Sequence, residues 1–145
     1  MSAHKPLEGV KVVELASFVA APTAGRMMAE MGADVIRVES TAGDPWRFYG
    51  ANCGLPITDE ENPLFDIYNL GKKDIQLNTK TPEGKEILFH LLDEADVFIT
   101  NNRLKSLVRS GLDYESLKDR FPKLIYGLVT GYGQTGPDVD APGYD

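Results

Sequence analysis

An α/β fold, with a Rossmann-like, mostly parallel sheet and helices on both faces, is predicted by three features of the sequence. Short apolar runs at residues 10–15, 35–38, 97–99 and 124–129 alternate with stretches patterned for helices. Helix punctuation falls between those runs, with prolines at candidate starts and glycine or proline at candidate ends. Polar and turn-forming residues gather just after the runs, at 16–21, 39–40, 100–103 and 130–134, where ligands of parallel sheets bind.

The elements follow in order. Residues 10–15 and 35–38 read as strands buried in a parallel sheet. Between them Pro22 suits the first position of a helix, and Gly32 suits the left-handed residue beyond its end. Ala24, Met27, Met28 and Met31 recur at helical spacing, which predicts one apolar face. The turn ASFVAAP lacks the G-x-G-x-x-G pattern, so the scaffold must hold something other than a dinucleotide, or hold it differently.

Residues 40–63 are rich in Gly, Pro, Asp, Glu and Asn and read as a long irregular connection, with Trp46, Phe48 and Tyr49 as anchors. Residues 74–78 alternate polar and apolar, with Ile75 and Leu77 on one side, as a half-exposed strand does. Thr81 is a candidate N-cap before Pro82 and Glu83, and Leu88, Leu91, Leu92 and Ala95 supply the buried stripe of that helix. Residues 97–99 form the next strand. Helices over 104–109 and 114–121 follow, the second capped by Asp113 and stopped by Pro122, and the last strand covers 124–129.

Bulk properties exclude several classes. The chain has 145 residues, 42% of them hydrophobic and 26% charged, enough for one domain with a core. Its formal net charge of −7 argues against nucleic-acid binding. No apolar run reaches the roughly 20 residues of a membrane span, and the amino terminus has no signal-peptide core, so a cytoplasmic location is expected. Cys53 is the single cysteine, which excludes an internal disulfide. His4 and His90 add no catalytic signal, and the sequence holds no metal-ligand cluster, no Ser/His/Asp spacing and no P-loop. The last stretch, GYGQTGPDVDAPGYD, follows a buried strand with turns alone, which predicts that the 145 residues are part of a longer fold.

The sequence resembles the amino-terminal part of the class III CoA-transferase family, which includes formyl-CoA and carnitine CoA-transferases. The matching stretches are PLEGVKVVEL, the turn up to AAP, GADVIRVES with AGDP, NLGKKDIQLNTKTPEGKEI, ADVFITN, LVRSGLDYESL, and GYGQTGP leading to PGYD. Within the family the likeness is greatest to transferases of 2-hydroxy acids such as 2-hydroxyisocaproate and phenyllactate.

The resemblance implies a coenzyme A substrate and an aspartate that attacks the thioester carbonyl, giving a mixed anhydride and releasing CoA thiolate. A weak nucleophile of this kind depends on positioning and on donors for the oxyanion. That aspartate is expected downstream of Asp145, so no catalytic residue lies in this chain; Asp138, Asp140 and Asp145 read as turn formers. Residues 1–145 would be an incomplete CoA-binding Rossmann-like domain. The partners implied are an acyl-CoA, a small carboxylic acid and a second copy interlocked with the first, with no nucleic acid, membrane or metal.

The implied coenzyme site comprises Phe18, Val19 and Ala20 along the pantetheine arm, with Asn101 and Asn102 lining the groove. Lys72 approaches the adenosine end, and Arg109 lies near the phosphates. Because CoA carries a pyrophosphate and a 3′-phosphate, Lys73 and Arg103 join them as candidate cations. Gly131, Tyr132 and Gln134 are placed near the thioester. Each has a plainer reading: solvated lysines, strand-terminating asparagines, a core Phe18, an Arg109 paired with Asp113 or Glu115, and an ordinary turn at 131–134. The sequence departs from formyl-CoA transferases at Val19, where they have glutamine, and near Ser40 and Thr130, where they have arginine and lysine. An apolar Phe18–Val19 pair suits a branched or aromatic acyl group. A 2-methylacyl-CoA racemase, which shares the opening motifs, and a stand-alone CoA-sensing module are the alternatives.

Overall fold

The computed structural model describes residues 4–58 and 60–143. Five parallel strands form one sheet: β1 (Lys11–Leu15), β2 (Asp34–Glu39), β3 (Lys73–Gln76), β4 (Val97–Thr100) and β5 (Ile125–Leu128), in spatial order β3-β2-β1-β4-β5. Val13 pairs with Ile36 on one side and Phe98 on the other, which fixes the register at the centre. The strand order reverses between β1 and β4, the position where open α/β sheets leave a crevice for ligand.

Helices cover both faces, as the sequence predicts. On one face α1 (Ala20–Glu30) lies over Val12, Val35 and Ile99, with Ala24, Met28 and Ala29 against them. On the other, α4 (Pro82–Glu94), α5 (Leu104–Ser110) and α6 (Tyr114–Leu117) pack on Val13, Leu15, Val38 and Phe98. Leu88, Leu92 and Phe98 are fully buried there, each contributing about 1.5–3 kcal/mol. Thr81 caps α4 by accepting the Gly84 N–H at 3.2 Å, as expected. Tyr126 on β5 donates its hydroxyl to the Leu112 carbonyl, and burial pushes its pKa up to about 12.

Several expectations are corrected. Helix α1 begins at Ala20, so Pro22 sits inside its first turn, and Met27 and Met31 face solvent while Ala21, Pro22 and Gly25 are buried. Residues 40–63 are not a plain loop: they carry α2 (Trp46–Tyr49) and a 3-10 turn (Gly50–Cys53). Trp46 is the anchor, stacked on Tyr68 and edge-on to Phe18 and Tyr49, whereas Phe48 and Tyr49 are exposed. Helix α3 (Pro63–Asn69) was not expected, although Asn62-Pro63 is a ready start signal: the Asn62 side chain accepts the Phe65 N–H and Pro63 opens the helix. Helix α6 stops at Leu117, short of the predicted 121. The Asp113 carboxylate takes the Ser116 hydroxyl at 2.5 Å in place of a backbone N–H.

Candidate functional site

The turn after β1 is held from both sides. Asn101, at the end of β4, receives the Ser17 N–H on Oδ1 at 3.0 Å and donates Nδ2 to the Ser17 carbonyl at 2.8 Å. The next residue, Phe18, has φ of 62°, the one positive value among described non-glycine residues. Such a conformation costs a bulky residue about 1–2 kcal/mol and needs external support. Asp44 supplies it by accepting the Phe18 N–H at 3.1 Å. Phe18, Val19 and Ala20 are exposed on the carboxyl-end rim of the sheet, Phe18 at 37%.

A cavity of about 180 Å³ opens at this rim, lined by residues that include Ala16, Ser17, Ser40, Asp44, Leu77, Thr79 and Asn102. Gly43 borders it and also a second, more apolar cavity of about 410 Å³ formed with Ala42, Pro45, Phe48, Tyr49 and Asn52. Of the expected groove residues, the structure brings together Phe18–Ala20, Asn101 and Asn102.

The expected cations divide into two pairs. Lys72 is 1% exposed at its side chain, and Nζ donates to Glu14 Oε1, the Pro22 carbonyl and Asn69 Oδ1 at 2.9–3.0 Å. It is therefore not a free charge at the groove but a buried brace beneath α1. Lys73 turns toward the amino end of β2, with Nζ 2.8 Å from Asp34. Arg103 and Arg109 are exposed and make no ion pair with a described residue, so the surface pairing of Arg109 with Asp113 or Glu115 does not form. Lys85 Nζ donates to the Ser110 carbonyl at 2.6 Å, which sets the end of α5 beside the first turns of α4.

Gly131, Tyr132 and Gln134 are exposed in the loop after β5 and line neither cavity. That loop closes on itself: a Cβ on Gly131 would lie 2.7 Å from Gly143 Cα. Asp140 pairs with Lys105 at 2.6 Å, and the Asp138 carbonyl closes a turn to Ala141, both structural roles. Asp145 lies outside the described residues.

Sequence patterning gave no notice of the charges beneath α1. The Arg37 guanidinium is fully buried and meets Glu39 at 2.8 Å, Asp44 at 2.5 Å and Asp74 at 3.1 Å, with Glu14 3.4 Å from Nε. Arg47 bridges Glu39 and Asp74 at 2.7 Å each and lies over the Phe65 ring at 3.7 Å. Burial pushes Glu14 and Asp74 up and Lys72 down. Burial would also raise Glu39, but hydrogen bonds from Arg37, Gln76 and Arg47 outweigh it and hold the carboxyl below its usual value. The available signal was the alternation in DVIRVE, where Arg37 and Glu39 share one face of a strand that should be apolar throughout. Leu77, Thr79 and Asp44 were likewise missed as cavity residues, whereas Ser40 falls in the strand-tip segment 39–40.

The model of CoA-transferase family III matches residues 7–145. The chain belongs to that family. It is 54% identical over 94% of its length to a cinnamoyl-CoA:phenyllactate CoA-transferase of Clostridium sporogenes. It is 48% identical over 96% of its length to an (R)-2-hydroxy-4-methylpentanoate CoA-transferase of Clostridioides difficile. It covers 33% and 35% of those family members, so the chain spans about a third of the curated relatives it matches. A CAIB/BAIF family protein from Brucella suis superposes on 98% of the chain, with a TM-score of 0.90, 44% identity and 38% of that structure covered. Among the described residues no helix is long and apolar enough to cross a membrane, and no group of three His, Cys, Asp or Glu is arranged to hold a metal.

Proposed function

We propose that the full-length protein moves CoA from an acyl-CoA thioester to a carboxylic acid, a 2-hydroxy acid with an aromatic or branched side chain. Residues 1–145 contribute part of the coenzyme site as a Rossmann-like domain. The observation that carries this reading is family membership across 7–145 together with similarity to two transferases named for such acids. The strand tips support it. The coenzyme would run along Phe18–Ala20 and the cavity bounded by Asn102, Leu77 and Thr79. Arg103 and Arg109 would face its phosphates, where an exposed guanidinium forms paired charge-assisted hydrogen bonds. Lys72 contributes by bracing the helix above the groove, and Lys73 stands outside it.

The chemistry needs a carboxylate from beyond residue 145. Its oxygen bonds to the thioester carbonyl carbon, the C–S bond breaks, and CoA leaves as thiolate; the acceptor carboxylate then displaces the donor acid from the anhydride, and the thiolate attacks the acceptor's acyl carbon, freeing the aspartate and forming the new thioester. This domain's part is to hold the thioester in reach of that oxygen. The full-length protein is expected to work as an interlocked dimer.

Incubating the full-length protein with cinnamoyl-CoA and phenyllactate, then following both thioesters by chromatography, tests the reading. Transfer, with hydroxylamine trapping an aspartyl adduct, is the expected result. No transfer, with deuterium entering the acyl α-carbon from solvent in the absence of acceptor, would show the racemase. Val19→Gln should shift the rate ratio from large apolar toward small polar acids, and an unchanged ratio would overturn the apolar acyl preference.

A further inference from the structure

Phe18 is a bulky residue in a conformation suited to glycine, at the rim where the coenzyme is placed. Its support can be traced inward. The Phe18 N–H donates to Asp44 Oδ2, and the same oxygen receives Arg37 at 2.5 Å. The other oxygen receives the Trp46 N–H at 2.8 Å, and Asp44's own N–H donates to Glu39 Oε2 at 3.1 Å. Asp44 is 2% exposed and Arg37 is fully buried, so neither can swing away to water. Trp46 also meets the Phe18 ring edge-on at 6.2 Å.

We infer that Asp44 is a positioning residue: anchored by Arg37, it holds Phe18 in the left-handed conformation and so presets the turn that receives the coenzyme. Strain stored at a binding turn persists only where surrounding groups over-determine it. Here the groups are one carboxylate that accepts three donors, the Phe18 and Trp46 N–H groups and Arg37, and a guanidinium that joins side chains of three strands. The inference rests on the proposed coenzyme site, and its test separates the two.

The test uses the full-length protein with two readouts. The first is hydrogen exchange at the Phe18 amide, which reports the clamp whatever binds there. Asp44→Ala should speed that exchange at least tenfold while amides of β1 and β4 keep theirs; an unchanged Phe18 amide overturns the clamp. The second compares Phe18→Gly with Phe18→Ala, which lack the ring equally and differ in their tolerance of positive φ. With Asp44 present the two should bind CoA within about twofold of each other. Combined with Asp44→Ala, Phe18→Gly should bind about fivefold or more tightly than Phe18→Ala, because glycine needs no clamp. Equal affinities in that background, with exchange nonetheless accelerated, would show a clamp that serves no coenzyme site and would overturn the inference. Absence of CoA binding in every variant and the parent would reject the site itself, and with it the preset turn.

Discussion

Lys72 and Glu14 lie 58 positions apart in the chain and meet beneath α1 with neither side chain exposed to water. The sequence KKD beside a strand reads as surface charge or as a phosphate ligand. It cannot disclose a buried pair, because the partner glutamate belongs to a different strand and the space for it is made by Gly25. A Cβ at Gly25 would fall 1.9 Å from Glu14 Oε2. Removing one buried partner strands the other, so Lys72→Met should cost about 3–5 kcal/mol in a denaturant titration. Adding Glu14→Gln should recover a large part of that. Equal losses in the single and double variants would count against the pair. Glu39 carries a sign that can be checked by pH. Its folded carboxyl sits below the usual 4.5, so its stabilisation is present above that value and lost as pH falls through the folded one. The stability gap between the parent and Glu39→Gln should therefore narrow as the solution is acidified from 4.5 down through the folded value.

At the scale of elements, periodicity and punctuation located β1, β2, α4 and β4 well, because each has a continuous apolar run or a side-chain cap. They failed for α2, whose anchoring comes from tertiary partners, with Asn62 Nδ2 donating to the Arg47 carbonyl at 2.9 Å; α3 was missed although its Asn62 cap and Pro63 are local signals of the same kind as those of α4. The candidate site was legible only as far as it sits on strand tips. Asn101, Asn102 and the 18–20 turn could be placed from the end of a strand, whereas the cavity wall at Leu77 and Thr79 depends on where β3 falls in the sheet order. The loop after β5 permits a separate test. Because Gly131 and Gly143 meet backbone to backbone, Gly131→Ala cannot be absorbed by a side-chain rotation. Limited proteolysis should cut residues 131–143 several times faster in that variant, while the melting temperature stays within about 2 °C because the loop buries little apolar surface.

Across the whole molecule, apolar side chains collect in places this chain does not cover. Ile67 and Leu70 of the α3 region and Met27 and Met31 of α1 are exposed, and Ile125 is 65% exposed on β5 at the sheet edge. A strand edge with an apolar side chain is a template for pairing with another chain. The 145-residue chain alone should self-associate at micromolar concentration by light scattering, and Ile125→Lys should reduce it. Scattering unchanged by that substitution would point to the α1–α3 surface instead.

The charges under α1 also bear on the order of assembly. Arg37 gathers carboxylates from β1, β2, the segment before α2 and β3, of which Glu14, Glu39 and Asp44 are buried and Asp74 is partly exposed. A cluster drawn from four segments is expected to form after the rate-limiting barrier, which the refolding and unfolding rates of Asp74→Asn would check. Its contacts act as a latch on a sheet already built: weakening it shortens the lifetime of the native state and leaves the speed of reaching that state almost untouched.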